Sequence, residues 1–419
     1  MAAKPRIAVL GGGFAGLESA FSLRHKLREK ADITLISDSG YFLFKPNTIY
    51  IPFGDDPEKY KVYLDAPTRK KEIDLIQGRA EQIDPDRHTV KLRDFEVAFD
   101  YLIVASGAAL CPQEIMGLEK HALMLWTPED MLRLRQAYRK MLEKARAGDR
   151  QKLLFLVPPF NTCSSPLYEI ALMTDTWLRN QGVRGMIEIT WTTFEESFLH
   201  AFGPRLGLVI AAEFEDRAIA GYKEFAASAV EPGTVIYQNG ETRQFDLLVS
   251  FPPYMGANRF PSLPLDARGF IRVERNSRRV QGRDRIFAAG DAADFPLKQA
   301  YLALLQAGAA ADHIAAEIEN RKPEVLFEPL TMCLMEEFDK ATFAQVPLRY
   351  TGDPKKPVTV DLEDSEHYKI GVSPLWRAGK KALGLYLPWR FASGEPFHTG
   401  FARDVMDAGL KTMARVMTH

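Results

Sequence analysis

Two cysteines stand where a thiol could take part in redox chemistry. Cys163 ends the segment PPFNTC and precedes a predicted helix that begins near Pro166, a residue type favoured in the first helical turn. A thiol at a helix N-terminus has a lowered pKa and is more thiolate at neutral pH, which predicts a reactive sulfur. The alternative is a small buried residue without chemistry, the usual role of a lone cysteine.

Cys333 and Glu169 are the candidates to act with Cys163. Cys333 lies in LTMCLMEEFDKATFAQVPLRY, whose pattern predicts a strand, a turn at Asp339–Lys340 and a returning strand. If the two cysteines met, they could form a disulfide that a sulfur nucleophile opens by exchange, but their spacing alone does not bring them together. Glu169, one turn into the predicted helix, could take up protons or be an ordinary first-turn acid. Cys111 is interpreted as structural.

A glycine-rich turn near the N-terminus predicts a nucleotide site. The segment RIAVLGGGFAGLESAF indicates strand, turn and helix, with Gly11, Gly13 and Gly16 in the pattern G-x-G-x-x-G. These glycines permit a tight turn, close approach of a pyrophosphate and close packing of helix on strand. The helix N-terminus offers free N–H groups to phosphates. The next strand ends at Asp38, where a ribose-binding acid belongs; a glycine turn without a ligand is the alternative.

Two later segments indicate which dinucleotide is bound. FDYLIVASGA ends in small residues that include Gly107, and RIFAAGDAADFP runs into Gly290 and Asp291. Both resemble the paired signatures of the FAD-dependent pyridine nucleotide–disulfide oxidoreductases, in which the acid binds the ribityl chain of FAD. Asp291 could instead be only a helix N-cap. Lys298 and the N-terminus of the following helix would stabilise negative charge on the reduced flavin.

The second nucleotide turn of that superfamily is missing from the segment around Cys163. The apolar strand LLFLV leads into PPFNTCSS, which contains no glycine. Proline lacks an N–H group, and its fixed φ cannot make the glycine turn. Pro158 and Pro159 therefore predict a domain that keeps its fold and has lost its nicotinamide site. Electrons must then reach the flavin from another donor, which favours the thiol.

Composition limits the partners. The chain has 419 residues, of which 46% are apolar and 26% charged, with a net charge of −1. This suits two or three globular domains and does not favour nucleic-acid binding. No apolar run reaches the ~18 residues of a membrane-spanning helix. The N-terminal segment enters a strand at once, so no secretory signal peptide is expected, and no metal site is predicted.

Several motifs together resemble the sulfide:quinone oxidoreductase and flavocytochrome c sulfide dehydrogenase group. ITLISDSGYFLFKPNTIYIPFG resembles the group's segment beside the flavin and assigns Pro46 and Asn47 to the FAD site. NTCSSPLYEIAL, FDLLVSFPPYMG and CLMEEFDKATF resemble the two cysteine segments and the paired-proline segment between them. His200, in FLHAFG, resembles a histidine near the sulfide site, or is a surface or core residue.

The resemblance implies a mechanism. Sulfide would attack a Cys163–Cys333 disulfide and form a persulfide, the freed thiolate would reduce the flavin, and a quinone would take the electrons. The third cysteine of many group members is absent, because Trp126 stands in the comparable segment LMLWTPED. This departure leaves a related thiol or persulfide open as the sulfur substrate.

The C-terminal segment mixes aromatic, aliphatic and basic residues in a pattern typical of a helix at a membrane interface. SPLWRAGKKALGLYLPWRF carries the cations Arg377, Lys380, Lys381 and Arg390 among apolar residues. FARDVMDAGLKTMARVM places apolar residues near one helical face, namely Phe401, Val405, Leu410, Met413 and Val416–Met417. The resemblance implies peripheral binding to a membrane beside the quinone entry. Packing on the protein's own core or on a second subunit is the alternative, which leaves a homo-oligomer open.

The predicted fold class is α/β, with two Rossmann-like domains and a C-terminal lobe with amphipathic helices. The FAD domain is expected to be discontinuous, with residues 1–112 and 266–320, the second domain to span 113–265, and the lobe 321–419. The predicted function is FAD-dependent oxidation of sulfide, or of a related thiol or persulfide, with quinone as acceptor at a membrane surface. Alternatives are an NADH:quinone dehydrogenase, a flavin subunit that donates to a cytochrome, and a flavoprotein that binds a partner without turnover.

Overall fold

Strands and helices alternate along most of the chain. The computed structural model describes residues 3–354, 356–399 and 418. Its helices are α1 (Phe14–Leu27), α2 (Asp65–Lys70), α3 (Leu118–His121), α4 (Pro128–Arg146), α5 (Ser165–Asn180), α6 (Pro204–Asp216), α7 (Ala300–Ile318) and α8 (Pro374–Ala392). The earlier strands are β1 (Arg6–Leu10), β2 (Asp32–Ser37), β3 (Tyr41–Leu43), β4 (Lys61–Tyr63), β5 (Asp74–Gln77), β6 (Ala80–Asp84), β7 (Thr89–Leu92), β8 (Glu96–Ala98), β9 (Tyr101–Val104) and β10 (Ala108–Leu110). The later strands are β11 (Leu123–Met124), β12 (Gln151–Val157), β13 (Ile187–Thr193), β14 (Ile219–Tyr222), β15 (Ala227–Glu231), β16 (Thr234–Tyr237), β17 (Thr242–Gln244), β18 (Leu247–Ser250), β19 (Tyr254–Gly256), β20 (Ile286–Ala288), β21 (Leu330–Glu336), β22 (Ala341–Tyr350), β23 (Val358–Val360) and β24 (Lys369–Ser373).

A parallel sheet positions the glycine turn. Its strand order is β20-β9-β1-β2-β5, and β1 pairs with β2 on one side and with β9 on the other. Strands buried on both faces need continuous apolar runs, and β1 supplies one from Ile7 to Leu10, all of it buried. Helix α1 packs against α7 on one face of the sheet. The glycine turn after β1 and the Gly290 segment after β20 therefore lie at the same edge of the sheet.

A second parallel sheet positions Cys163. Its strand order is β11-β18-β12-β13-β14. The central strand β12 is buried from Leu153 to Val157, as its apolar run predicts. The loop with Cys163 leaves the carboxyl end of β12 and enters α5 at Ser165, close to the predicted start. The α/β fold class with two Rossmann-like sheets is confirmed, while the exact domain boundaries stay a prediction.

Short antiparallel sheets bring the two parallel sheets together. β10 follows β9 closely, β19 follows β18 closely, and β10 pairs with β19. The carboxyl edges of the two parallel sheets therefore lie side by side. The other small sheets are β3-β4, β6-β7-β8 and β15-β16-β17.

The C-terminal lobe is built on the predicted hairpin around Cys333. β21 and β22 pair antiparallel, with Cys333 opposite Ala344, and β24 joins the other edge of β22. The chain turns between Glu336 and Ala341, where Phe338 has a φ of +73°. Helix α8 packs on β21 and β22. The strand–turn–strand prediction for this segment is confirmed.

Helix α8 exposes fewer cations than its sequence suggests. Lys380 and Arg390 are buried, so the expectation that they face a membrane surface is wrong. Arg390 donates to the carbonyls of Pro396 and Thr399 just beyond the helix. Lys380 pairs with a carboxylate inside the protein. The second predicted amphipathic segment, residues 401–417, lies outside the described residues.

A buried ion-pair network attaches the Cys333 hairpin to the second domain. Arg217, just after α6, donates to Asp175 of α5 and Glu213 of α6 at 3.2 Å each. It also donates to Glu337 and Asp339 at the turn of the hairpin, at 2.8 and 3.3 Å. Burial opposes the charge, but the four carboxylates raise the pKa of Arg217 above its ordinary value. This network holds the turn of the hairpin against α5 and α6.

Candidate active site

A cavity of about 600 Å³ lies where the two carboxyl edges meet the C-terminal hairpin. This volume is in the range of about 300–1,000 Å³ that is usual for cofactor sites. The predicted site residues that line it are Gly11, Gly13, Asp38, Pro46, Gly107, Gly290, Asp291, Lys298, Cys163, Glu169 and Cys333. Gly16, Asn47 and His200 do not line it. The structure thus brings the nucleotide-binding segments and both cysteines to one space.

The glycine turn opens its backbone toward this cavity. Gly11 has a φ of +121°, and a side chain there would overlap the carbonyl of Ala105. A side chain on Gly16 would overlap the carbonyl of Gly11, which explains why helix and strand pack so closely there. Gly13 has no other atom within 4 Å of the place where a side chain would begin. The turn therefore leaves a free face for a ligand.

Three charged side chains line the cavity near β20, of which Lys298 is buried, Asp291 half-buried and Lys45 exposed. Burial raises the pKa of Asp291, while Lys298 and Lys45 act to lower it. Burial lowers the pKa of Lys298 to about 8. Lys298 donates to the carbonyl of Ala293 at 2.5 Å. Because α7 begins only at Ala300, Asp291 does not cap that helix, and it lines the cavity instead.

Cys163 and Cys333 share a neighbour. Ser165 Oγ lies 3.4 Å from Cys163 Sγ, and Ser165, which lines the cavity together with Cys333, also acts to lower the pKa of Cys333. Burial, and then the charge of Cys163, raise the pKa of Cys333 to about 12. Both cysteines and Cys111 are free thiols in the structure. Two thiols far apart in the sequence are therefore placed around one serine.

The predicted lowering of the Cys163 pKa is wrong. Burial raises this pKa to about 11, and the carboxylates of Asp291 and Glu195 raise it further. Hydrogen bonds from Ser165 act in the opposite direction. The helix N-terminus does not compensate for removing the thiolate from water. Cys163 is consequently a protonated thiol at neutral pH in this state.

Glu169 forms a buried ion pair beside the thiols. Its carboxylate accepts from Lys380 Nζ and, at 2.6 Å, from the backbone N–H of Glu336. Lys380 Nζ also donates to the carbonyl of Leu334, the residue after Cys333, at 2.9 Å. Burial lowers the pKa of Lys380 to about 7. Glu169 is therefore not an ordinary solvated first-turn acid, and its partner can exchange a proton near neutral pH.

His200 does not reach the cavity. Its side chain is exposed, and its backbone N–H donates to Glu195 at 3.2 Å. Glu195 is half-buried and also accepts from Thr193 Oγ1 at 2.9 Å and from Ser164 Oγ at 3.4 Å. Burial raises the pKa of Glu195 to about 7. The titratable side chain on this side of Cys163 is thus Glu195, and the structure gives the predicted role of His200 no support.

The loop before Cys163 is closed by its own contacts. The side chain of Asn161 donates to the carbonyl of Phe251 at 2.6 Å and accepts from the backbone N–H of Cys163 at 2.9 Å. Phe160 is exposed with a φ of +63°, and its carbonyl accepts from the backbone N–H of Tyr254 at 3.4 Å. The N–H group that a phosphate would use at this turn is therefore already bonded.

Known proteins share this arrangement. The model of the pyridine nucleotide-disulphide oxidoreductase family matches residues 5–149. The X-ray structure of sulfide:quinone oxidoreductase from the hyperthermophilic bacterium Aquifex aeolicus superposes with a TM-score of 0.85 at 25% identity, covering 98% of this chain and 96% of that chain. Residues 5–149 therefore match the pyridine nucleotide-disulphide oxidoreductases, and the whole chain is similar in fold to a sulfide:quinone oxidoreductase. The chain is an oxidoreductase, and its cofactor is FAD.

Two curated relatives support the narrower resemblance within these flavoproteins. A sulfide-quinone reductase of Aquifex aeolicus is 30% identical over 269 residues, which is 62% of this chain and 60% of that relative. A mitochondrial sulfide:quinone oxidoreductase of Dictyostelium discoideum is 22% identical over 321 residues, 71% of this chain and 68% of that relative. The chain thus matches about three fifths of the length of the Aquifex sequence. The predicted resemblance to this group is confirmed.

The cavity of this flavoprotein fits FAD. The open face of Gly13 and the N-terminus of α1 suit a pyrophosphate, and the exposed carboxylate of Asp38 at the cavity rim suits a ribose. Asp291 would hold the ribityl chain, and Lys298 with the N-terminus of α7 would lie near the isoalloxazine. Asn47 departs from its predicted place, because its side chain packs against Gly384 of α8.

Gly16→Ala is expected to weaken FAD binding about tenfold or more. The new methyl group would overlap the Gly11 carbonyl, so that α1 must move away from β1 and take its N–H groups with it. Flavin content and titration of apoprotein with FAD measure the effect. Gly308→Ala is the control, because its methyl group meets no atom within 4 Å in α7 and should leave FAD binding unchanged. If Gly16→Ala bound FAD with native affinity, the assignment of the glycine turn to the FAD site would be wrong.

Sequence reasoning missed several residues of the cavity region. Lys45 lies next to the predicted Pro46, and its ammonium group sits 3.4 Å from the centre of the Trp126 ring. Ser165 stands two residues after Cys163, and this closeness in the sequence could have identified it as a residue of the site. Lys380 was interpreted as a membrane-facing cation, since the spacing of charges along a helix does not reveal which of them a partner buries. Glu195 gives no local signal.

Proposed function

We propose that this flavoprotein oxidises sulfide, or a closely related thiol or persulfide, and passes the electrons to a quinone. The observation that carries the proposal is the placement of Cys163 and Cys333 around Ser165 in the cavity that fits FAD. The relatives named for sulfide and quinone support the same assignment. The self-bonded loop at Asn161 argues against a nicotinamide as the electron donor.

The proposed cycle uses the two thiols as a reversible disulfide. Hydrosulfide attacks a Cys163–Cys333 disulfide, forms one S–S bond and breaks another, so that one cysteine becomes a persulfide and the other a thiolate. A second sulfur nucleophile takes the outer sulfur and leaves two thiols. Re-forming the disulfide releases two protons and an electron pair, which FAD accepts when bound and a quinone receives in turn. Sulfur and electrons balance at each step.

Lys380 and Glu169 are proposed to hold and return the protons. Their ion pair faces the cavity, and Lys380 also contacts the carbonyl of the residue after Cys333. With a pKa lowered by burial to about 7, the Lys380 ammonium group can give up a proton at physiological pH. Quinone reduction consumes two protons, so a donor on the cavity wall suits that step.

Lys380→Arg is expected to slow quinone reduction about 10²-fold and to remove its pH dependence near neutrality. Arginine keeps the charge beside Glu169 but cannot release a proton in this range. In the native protein the protonated fraction of Lys380 falls as pH rises through about 7, so the rate should fall with it. Stopped-flow reoxidation of the flavin by a soluble quinone measures this step. The exposed neighbour provides the control, since Lys381→Arg should behave as native.

Helix α8 is proposed to lie on a membrane surface beside the quinone entry. Leu375, Leu385 and Trp389 are 60%, 75% and 54% exposed and share one face of the helix. The described part of the chain contains no helix with the length and apolarity to cross a membrane. The same helix carries Lys380 on the cavity wall, which would bring a membrane-dissolved quinone close to its proton donor.

Anaerobic titration of the oxidised holoenzyme tests the proposed function. Sulfide should bleach the flavin absorbance within one turnover, and addition of a soluble quinone should restore it. NADH should leave the spectrum unchanged. Bleaching by NADH together with silence toward sulfide would favour an NADH:quinone dehydrogenase. Co-purification of haem would favour donation to a cytochrome, and silence toward every donor would favour a flavoprotein without turnover.

A further inference from the structure

Ser165 acts on both thiols. Its hydroxyl lies 3.4 Å from Cys163 Sγ, Ser165 and Cys333 line the same cavity, and the hydroxyl acts to lower the pKa of each cysteine. Ser165 is the first residue of α5 and is only 5% exposed, so its hydroxyl has little access to water. In the part of the chain that the structure describes, Cys333 has no other side-chain hydrogen bond that lowers its pKa.

These thiols need such a donor. The thiolate is the reactive form of cysteine, and burial disfavours it at both positions. Asp291 and Glu195 face Cys163 with carboxylates that disfavour its thiolate further, and the charge of Cys163 disfavours a thiolate on Cys333. A neutral hydroxyl beside the thiols can donate its hydrogen to a sulfur that carries the charge. It gives up no proton in doing so.

We propose that Ser165 is the shared hydrogen-bond donor that stabilises the thiolate alternately on Cys163 and on Cys333. When a disulfide between them opens, either sulfur can be left with the negative charge, and the hydroxyl needs only to rotate to follow it. This role rests on the proposed function in so far as that function uses the two thiols. The donation itself is a property of the three side chains and does not depend on which sulfur compound reacts.

The neighbouring serine offers a matched control. Ser164 is 6% exposed, close to the value for Ser165, and its hydroxyl is directed to Glu195 at 3.4 Å rather than to a sulfur. Replacing either serine with alanine removes one buried hydroxyl from the same turn. The two variants therefore share their structural cost and differ in the contact to the thiols.

Alkylation of the reduced holoenzyme by iodoacetamide between pH 7 and pH 9 tests the proposal, with mass spectrometry resolving the peptides of Cys163 and Cys333. Ser165→Ala should slow alkylation of both cysteines about tenfold at each pH, since the rate follows the thiolate fraction. Ser165→Thr, which keeps the hydroxyl, should restore much of the rate. Ser164→Ala should match the native protein. Flavin content and circular dichroism verify that the variants fold.

Four results would overturn the proposal. The role of Ser165 as a shared donor would be wrong if Ser165→Ala were alkylated at native rates or if it slowed only one cysteine. It would also be wrong if Ser164→Ala slowed alkylation equally. Thiols that iodoacetamide cannot reach in the native protein would contradict their placement on an open cavity, on which the proposal depends. Failure of the proposed function would be seen in a different measurement. A holoenzyme whose flavin is not reduced by sulfide could still show the alkylation pattern expected of a shared donor.

Discussion

The Cys163→Ser variant is expected to keep its flavin oxidised when sulfide is added without oxygen, with a reduction rate at least about 10³-fold below native. Serine preserves the size of the side chain but cannot form a disulfide or a persulfide. Cys333→Ser should lose the same activity, because a single remaining cysteine cannot form the disulfide that sulfide opens. Stopped-flow absorbance of the flavin measures the rate, and the flavin content shows that the cofactor site is intact.

Cys111→Ser is the control for these two variants. Cys111 is fully buried, lies outside the cavity and keeps its backbone hydrogen bond to Pro253 whatever its side chain. Its serine variant should reduce at close to the native rate. If Cys163→Ser or Cys333→Ser did so as well, sulfide would be reducing the flavin without that sulfur, and the assignment of that cysteine to the cycle would be wrong.

Local patterns predicted the elements that carry the site. The glycine turn, the buried strand before Cys163 and the hairpin around Cys333 each depend on residues within a short window, and all three form as expected. Their convergence could be predicted only through the family resemblance. Nothing in the spacing of Cys163 and Cys333 brings two distant sulfurs together, whereas the packing of β21, which carries Cys333, against α5 does.

The sequence-based predictions for Cys163 and Lys380 were wrong for electrostatic reasons. A helix N-terminus normally favours a thiolate, but the burial of Cys163 depends on neighbours from other elements and reverses the direction of its pKa shift. Lys380 fits an amphipathic pattern, yet it lies inside the protein because Glu169, distant in sequence, supplies its counter-charge. Burial of a charge is a property of the assembled fold, so a pattern within one helix cannot reveal it.

Arg217, the buried arginine that holds the Cys333 hairpin, should contribute more to the free energy of unfolding than any other charged residue named above. Arg217→Ala is expected to lower the free energy of unfolding by about 3–5 kcal/mol, because it leaves the buried carboxylate of Glu337 without its ion-pair partner. Within the described residues, Glu337 would keep the hydrogen bond from Thr342 at 2.7 Å and the weaker influence of Lys340, and burial already raises its pKa to about 7. Chemical denaturation of the holoenzyme, followed by tryptophan fluorescence, measures the loss.

Arg179 allows the effect of an exposed cation to be compared with that of the buried Arg217, because both bond Asp175. Arg179 also bonds Asp175, at 2.7 Å, but its side chain is 48% exposed. Arg179→Ala should therefore cost no more than about 1 kcal/mol. Because Arg217 reaches the turn of the hairpin and Arg179 does not, only Arg217→Ala should also slow flavin reduction by sulfide, through a displaced Cys333. Equal losses of stability in the two variants would show that burial does not set the strength of this network, and native flavin reduction in Arg217→Ala would show that the hairpin holds Cys333 in place without it.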